Sequence, residues 1–293
     1  MFEIKVPASS ANVGPGFDSA GIAIGRYLTL EVTKSKQWEF VHETKLIPDV
    51  LHYKNHYIYK IAYKVSQDKK VTLPPAHVTM KSDIPLARGL GSSASAIVAG
   101  IELANQLAEL NLTVDEKLAY AVEFEGHPDN VAPCLLGGFI VSTVINDEVF
   151  YKKLPSFKTE AIIYIPDFEV KTDHARKVLP KSFSLDEATR ASAIGNVMLS
   201  ALLTEDYELA GKMMEADLFH QPYRAQLIPH YKKLQTIVKR LGAFGTIISG
   251  AGPTMISFVP KGTSQKIIQE SKHAFPNFEI NSISLDDQGL IVK

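Results

Sequence analysis

The chain has 293 residues, with 31 Lys and Arg against 32 Asp and Glu and a formal net charge of −1. That length favours two cores over one, and the balanced charge gives neither nucleic acid nor an anionic membrane surface an electrostatic reason to bind. The single cysteine, Cys134, excludes an intramolecular disulfide framework, and no stretch stays apolar for the ~18 residues of a membrane span, so a cytoplasmic protein with a small-molecule partner is expected.

Strand patterns come first, over residues 2–6, 23–33 and 38–41. A helix at 55–67 follows, with Ile58, Ile61, Ala62 and Val65 on one face, and then a strand at 76–81. The run Ala94, Ile97, Val98, Ile101, Ala104 and Leu107 has helical spacing, and Ser92 and Ser93 stand before it where N-cap hydroxyls belong. The helix 113–125 opens with the capping box Thr113…Glu116. Residues 123–130 read as a helix end, a glycine stop at Gly126 and a polar loop, before strands at 138–145 and 149–154. Past Pro155 come a strand at 161–165, a capped helix from Ser184 with Glu187 three residues on, and helices near 205–216 and 229–241. Strands at 246–249 and 255–259, a helix near 263–274 and a strand near 278–285 complete the pattern. Alternation of this kind predicts helices packed on sheets, an α+β chain whose first domain runs to residue 155 and whose second covers 156–293.

The chemistry concentrates in glycine-rich turns. Pro85-Leu86-Ala87-Arg88-Gly89-Leu90-Gly91-Ser92-Ser93-Ala94-Ser95 joins an extended run to a helix. Gly89 and Gly91 can take positive φ there and bring backbone N–H groups close to an anion, at the positive end of the helix dipole. The spacing is neither that of a Walker A loop, which needs Lys where Gly91 stands, nor that of a dinucleotide loop. Two further turns accompany it: Ser9-Ser10-Ala11-Asn12-Val13-Gly14-Pro15-Gly16-Phe17-Asp18, and Ser249-Gly250-Ala251-Gly252-Pro253-Thr254. Cys134, among Val131, Ala132, Leu135 and Leu136, reads as a buried packing residue.

These three motifs, in this order, resemble those of the GHMP kinase superfamily over essentially the whole chain. The first is similar to that of its homoserine kinase branch, and the Gly-Glu-His type signature of sugar and mevalonate members is absent. The resemblance implies an N-terminal domain with a left-handed βαβ unit, a C-terminal ferredoxin-like α/β sandwich and a site in the cleft between them. It also implies ATP with Mg²⁺ as the phosphoryl donor, L-homoserine as acceptor, O-phospho-L-homoserine on the route to threonine as product, and a homodimer as one assembly found among relatives. By the same resemblance Pro85, Arg88, Gly89, Leu90, Gly91, Ser92, Ser93, Ala94 and Ser95 cradle the phosphates, Asn55 meets the adenine and Thr172 the γ-phosphate. Ser93 and Glu125 hold the metal, with Glu123 as the alternative carboxylate.

The acceptor is a zwitterion, so its pocket needs a cationic fork and acidic partners. The resemblance assigns the carboxylate to Arg176 and Arg224, the ammonium to Asp18, and further contacts to Asn12 and His127. Asn130 stands where mevalonate and galactose kinases carry an Asp thought to act as base, and the catalytic Lys of mevalonate kinase has no counterpart here. Asn cannot be a general base, so Asn130 and Arg176 are expected to act by positioning and charge stabilisation. The remaining histidines, His220 among them, lack zinc-type spacing and read as structural. Two other readings stay open: a kinase for another small alcohol such as mevalonate, which has no ammonium for Asp18 to bind, and a nucleotide-binding sensor without catalysis, which would be free to lose Ser93 and Glu125.

Overall fold

The computed structural model describes residues 1–155 and 157–293. Residue 156, where the expected second domain begins, lies outside them. The first half contains β1 (Phe2–Ala11), β2 (Ala20–Lys34), β3 (Glu39–His42), α1 (Tyr57–Asp68) and β4 (Ala76–Ser82). It continues through α2 (Ser92–Leu107), α3 (Val114–Glu125), α4 (Pro128–Leu136), β5 (Phe139–Ile145) and β6 (Glu148–Leu154). The second half has β7 (Glu160–Ile165), α5 (Thr172–Lys177), α6 (Leu185–Leu203), α7 (Tyr207–Glu215), α8 (Gln221–Arg224) and α9 (Tyr231–Arg240). It ends with β8 (Gly245–Ile248), β9 (Met255–Val259), α10 (Ser264–Ala274), β10 (Glu279–Ile283) and β11 (Ile291–Val292).

The first sheet runs β11-β1-β2-β4-β3, with β5 on the other end of β2 and β6 beside β5. β2 is long enough to serve both, pairing with β4 over residues 28–34 and with β5 over 20–22. β3 and β4 are parallel and joined through α1, which is the βαβ unit of this sheet. The second sheet is antiparallel in the order β10-β7-β9-β8. With α10 between β9 and β10 this is the strand order of a ferredoxin-like sandwich, as expected. β7, β8 and β9 are buried on both faces because both are covered, whereas the edge strand β10 exposes Glu279, Asn281 and Ser282. Ile163 and Ile165 pack with Met198 and Met214 of α6 and α7, continuous with the core of the first sheet, while Ile162 and Tyr164 pack with Leu234 and Val238 of α9.

The capping boxes at Thr113 and Ser184 form as expected, each side chain accepting from the N–H three residues on. Residues 128–130, expected as polar loop, instead open the helix Pro128–Leu136. Pro128 fits the first turn, where its missing N–H costs nothing, and Val131, Ala132 and Leu135 are buried, so α4 forms. The end of the chain departs from a division at residue 155. Residues 284–293 leave the second sheet and complete the first: Gly25 N–H donates to Ser284 O at 2.8 Å, Asp286 N–H to Ala23 O at 3.0 Å and Leu290 N–H to Leu135 O at 3.1 Å, and β11 then pairs with β1.

This returning tail ties the two sheets together. Removing residues 284–293 deletes the partly buried Leu285, Leu290 and Ile291 with these backbone bonds, and should cost more than about 3 kcal/mol at roughly 1 kcal/mol or more per half-buried aliphatic side chain. Urea unfolding of the truncated chain tests this; an unchanged midpoint would mean that the tail merely rests on the first sheet.

Candidate active site

Three backbone segments meet. The first motif is not all loop: Ser9, Ser10 and Ala11 are the last residues of β1, and only then does the chain turn, with Asn12, Val13 and Asp18 at φ 71°, 46° and 52°. The second turn ends at Gly91, φ 64°, which is itself the N-cap of α2. Ser92 and Ser93 therefore lie inside the first turn of the helix and do not cap it. No side chain caps α2, and its first N–H groups stay free for a ligand. The two glycines are required by contact as well as by φ. A Cβ on Gly91 would lie 2.1 Å from Ser9 Oγ, and one on Gly89 2.2 Å from the Ser249 carbonyl. Ser249 Oγ donates to Gly89 O at 2.6 Å and shares a 2.8 Å hydrogen bond with Ser10 Oγ. The third motif thus lies against both others.

Together they wall a cavity of about 280 Å³. Of the expected residues, Asn12, Asp18, Gly89, Leu90, Gly91, Ser92, Ser93, Glu125, His127, Asn130, Thr172, Arg176 and Arg224 line it. Four do not. Ala94 and Ser95 are buried, and Ser95 Oγ donates to Pro7 O at 2.9 Å, so they fasten α2 to β1. Pro85 lies outside the lining, and Arg88 turns away to Glu169, 3.1 Å from its carboxylate. A second, largely apolar cavity of about 300 Å³ adjoins the first through Ser92 and Ser93, with His42, Ile47, Tyr57, Ile84 and Leu86 on its walls. Asn55 is exposed, sits in a 3-10 turn before α1 and lines neither cavity; its neighbours His56 and Tyr57 line the second. Asp129 is a site residue that the motif reading passes over. It lines the cavity, fully buried, and its carboxylate meets the His127 ring. The His-x-Asp spacing at the start of α4 was the signal that could have found it.

Charge is sorted along the walls. Arg176 grips Asp18 with both terminal nitrogens, at 3.2 and 3.0 Å, and both side chains are partly exposed. Arg224 is buried. Its Nη1 donates to Gly250 O at 2.8 Å and its Nε to Ala175 O at 3.3 Å; burial and then the charge of Arg176 bring its pKa down to about 10. Burial alone would lower the His127 pKa, but the hydrogen bond to Asp129 and the charges of Asp129, Asp18 and Glu125 outweigh it and the pKa is raised. Asp18, His127 and Asp129 bring one ligand atom each within 4.8 Å of the others. Ser9 Oγ donates to Asn130 Oδ1 at 2.9 Å, which leaves the Asn130 amide nitrogen for the cavity.

Ser93 and Glu125 come together, Ser93 Oγ donating to Glu125 Oε2 at 3.2 Å, whereas Glu123 is exposed and lines a separate surface groove. Burial raises the Glu125 pKa, and the nearby His127 offsets this only in part. A desolvated carboxylate beside a hydroxyl, short of positive charge, fits a hard divalent cation.

The family models for the GHMP kinase N-terminal domain and C-terminal domain match residues 56–138 and 198–277. The homoserine kinase of Oceanobacillus iheyensis is 47% identical, covering 100% of this chain and 99% of its own. The chain belongs to the GHMP kinase family. Within it, the homoserine kinase of Bacillus pumilus is 44% identical over 100% of this chain and 94% of its own. A crystal structure of homoserine kinase from Cytophaga hutchinsonii superposes with a TM-score of 0.85 at 30% identity, over 100% of this chain and 97% of that one. Among the described residues no helix is long and apolar enough to cross a membrane.

A raised carboxyl pKa in the fold means that the native state holds its proton more tightly than the unfolded chain, so this group's contribution to stability falls as pH rises through the carboxylate range. Glu125→Gln should therefore melt higher than the wild type at pH 7 in EDTA, with the gap narrowing toward pH 4. Calorimetry across that range checks it, and a variant that melts lower at pH 7 would show a carboxylate already satisfied within the protein.

Proposed function

We propose that this GHMP kinase is a homoserine kinase, transferring the γ-phosphoryl group of ATP to the hydroxyl of L-homoserine. The observation that carries the reading is a cavity with free helix N–H groups at one end and, at the other, two arginines beside Asp18 and Asp129. Homoserine carries a carboxylate, an ammonium and a hydroxyl on a short arm, and each finds a complementary wall. Arg224 is a buried cation held by carbonyl dipoles and repelled by Arg176, so a carboxylate completes it. Asp18 and Asp129 receive the ammonium, with His127 holding the Asp129 carboxylate and Asn12 fixing the turn by accepting from Asp18 N–H at 3.1 Å. The Arg176–Asp18 pair is partly exposed and worth no more than about 1 kcal/mol, so the zwitterion can take over both partners at small cost.

The phosphates of ATP would lie on the N–H groups of Ser92 and Ser93, with the base in the apolar cavity by Tyr57 and Leu86 and the γ-phosphate near Thr172. Ser93 and Glu125 would hold Mg²⁺, which when bound neutralises charge on the phosphate oxygens. The homoserine oxygen forms a bond to the γ-phosphorus while the bond from that phosphorus to the oxygen bridging to the β-phosphate breaks, the electron pair leaving with ADP. Asn130 orients the hydroxyl and Arg176 stabilises charge on the moving group. The hydroxyl proton departs late, to the transferred phosphoryl group, because a loose transition state asks little of a base.

Mevalonate lacks an ammonium, so its carboxylate would draw Arg176 from Asp18 and offer that aspartate no cation in exchange. A sensor without catalysis would carry the desolvated Glu125 to no purpose. ADP release from Mg-ATP with homoserine, threonine, mevalonate or galactose should show turnover with homoserine at least about a hundredfold above the others. ATP binding without turnover on any alcohol would sink the reading. Asn130→Ala should lower kcat about 10- to 100-fold, and Asn130→Asp should not raise it. Unchanged rate with Ala and a gain with Asp would show that position 130 wants a base.

A further inference from the structure

We infer that His220 is a positioning residue for the substrate carboxylate, acting through Arg224; the inference rests on the homoserine reading. Arg224 Nη1 lies 3.2 Å from His220 Nδ1, and a guanidinium can only donate, so Nδ1 is an acceptor without a proton. The ring proton is then on Nε2, which donates to the Gly14 carbonyl at 3.0 Å. The imidazole is neutral, wholly buried and used at both nitrogens. It adds no third cation beside Arg176 and Arg224.

Its two bonds run between parts of the site that are distant in sequence. Gly14 belongs to the turn that carries Asn12 and Asp18, and Phe17 of the same turn stacks on the His220 ring, centroids 5.7 Å apart and planes at 24°. The Arg224 guanidinium lies over that phenyl ring at 5.3 Å. Asp217 fixes the histidine itself, its carboxylate accepting the N–H groups of Phe219, His220 and Gln221 at 2.8, 3.0 and 2.7 Å. With Nη1 and Nε of Arg224 engaged by protein, Nη2 has no partner among the described residues and is the nitrogen left for a ligand. The imidazole therefore sets the separation between the cationic and acidic ends of the acceptor pocket, which a short zwitterion must match at both.

The two ring nitrogens can be tested one at a time. In His220→Asn the amide falls near Nδ1 and can still accept from Arg224. In His220→Gln it falls near Nε2 and can still reach Gly14. Steady-state kinetics on the full chain should show the KM for homoserine raised at least about tenfold in His220→Ala, with the KM for ATP within about twofold of wild type. His220→Asn should recover most of that loss and His220→Gln little of it. Recovery with Gln and not Asn would reduce His220 to a tether for Gly14 and overturn the inference, as would an unchanged homoserine KM in His220→Ala. A parallel rise in both KM values with a lowered melting temperature would also overturn it, by showing general loosening. Wild-type chain that turns over no homoserine would remove the functional reading and this inference together, whereas the other outcomes remove this one alone.

Discussion

The Gly250 peptide joins everything the site needs. Its carbonyl accepts from Arg224 Nη1 at 2.8 Å and from Asn12 Nδ2 at 3.2 Å, a pairing across 238 residues of chain, and its N–H donates to Ala11 O at 3.2 Å. The residue before it, Ser249, holds the Gly89 carbonyl. A helix N-terminus by itself attracts any anion weakly and without preference for what lies opposite. Its value here comes from being locked at a fixed place relative to a buried arginine at the end of α8. Each neutral bond contributes only about 1 kcal/mol net, yet losing one that serves Arg224 leaves a desolvated cation short of an acceptor, which costs considerably more. The three glycine-rich turns are therefore one unit, and the absence of a Cβ at Gly89 and Gly91 lets them close on one another.

Two charged groups of the pocket are not balanced by the protein itself. Arg224 is pushed toward losing its proton by burial and a like neighbour, while Glu125 is pushed toward keeping one by burial with too little positive charge nearby. These opposite imbalances sit on different walls of one cavity. Each would be relieved by a ligand of the sign it lacks, and neither helps the empty protein fold. Arg176 and Asp18 differ: they neutralise each other in the open and exchange partners cheaply. The pocket thus combines buried charges that demand a ligand with an exposed pair that yields to one.

Much of this was legible in the sequence, and the failures have physical causes. Periodicity and capping chemistry gave α3 nearly to the residue and the start of α6, because Thr113 and Ser184 each face a glutamate three positions on. α4 was lost because its first turn is polar where it faces the cavity, so Asp129 and Asn130 look like loop although Val131, Ala132 and Leu135 behind them pay for a helix. Short α5 and α8 carry too few residues for any period to emerge. The motif strings led to most of the cavity lining, but a string does not say which way each member points. Ala94 and Ser95 face inward on the helix that Ser92 and Ser93 begin, and Arg88 leaves the loop for Glu169. His220 was invisible for a different reason: its significance lies in a tautomer fixed by two partners 206 and 4 residues away, which no local pattern encodes.

The asparagine at position 130 follows from the charge already present. Asp18, Glu125 and Asp129 all face the same small volume, against two arginines and one histidine of raised basicity. Two carboxylates about 5 Å apart in an effective dielectric near 20 repel by roughly 3 kcal/mol, which is two units of pKa or more. A fourth carboxylate at the start of α4 would have to share protons with its neighbours, and the cost would fall on Glu125, which burial already pushes upward. An amide there keeps the hydrogen bond from Ser9, presents a donor to the cavity and adds no fourth negative charge. A phosphoryl transfer that needs alignment more than proton abstraction is compatible with that choice, since the groups it relies on are those whose charge the asparagine protects.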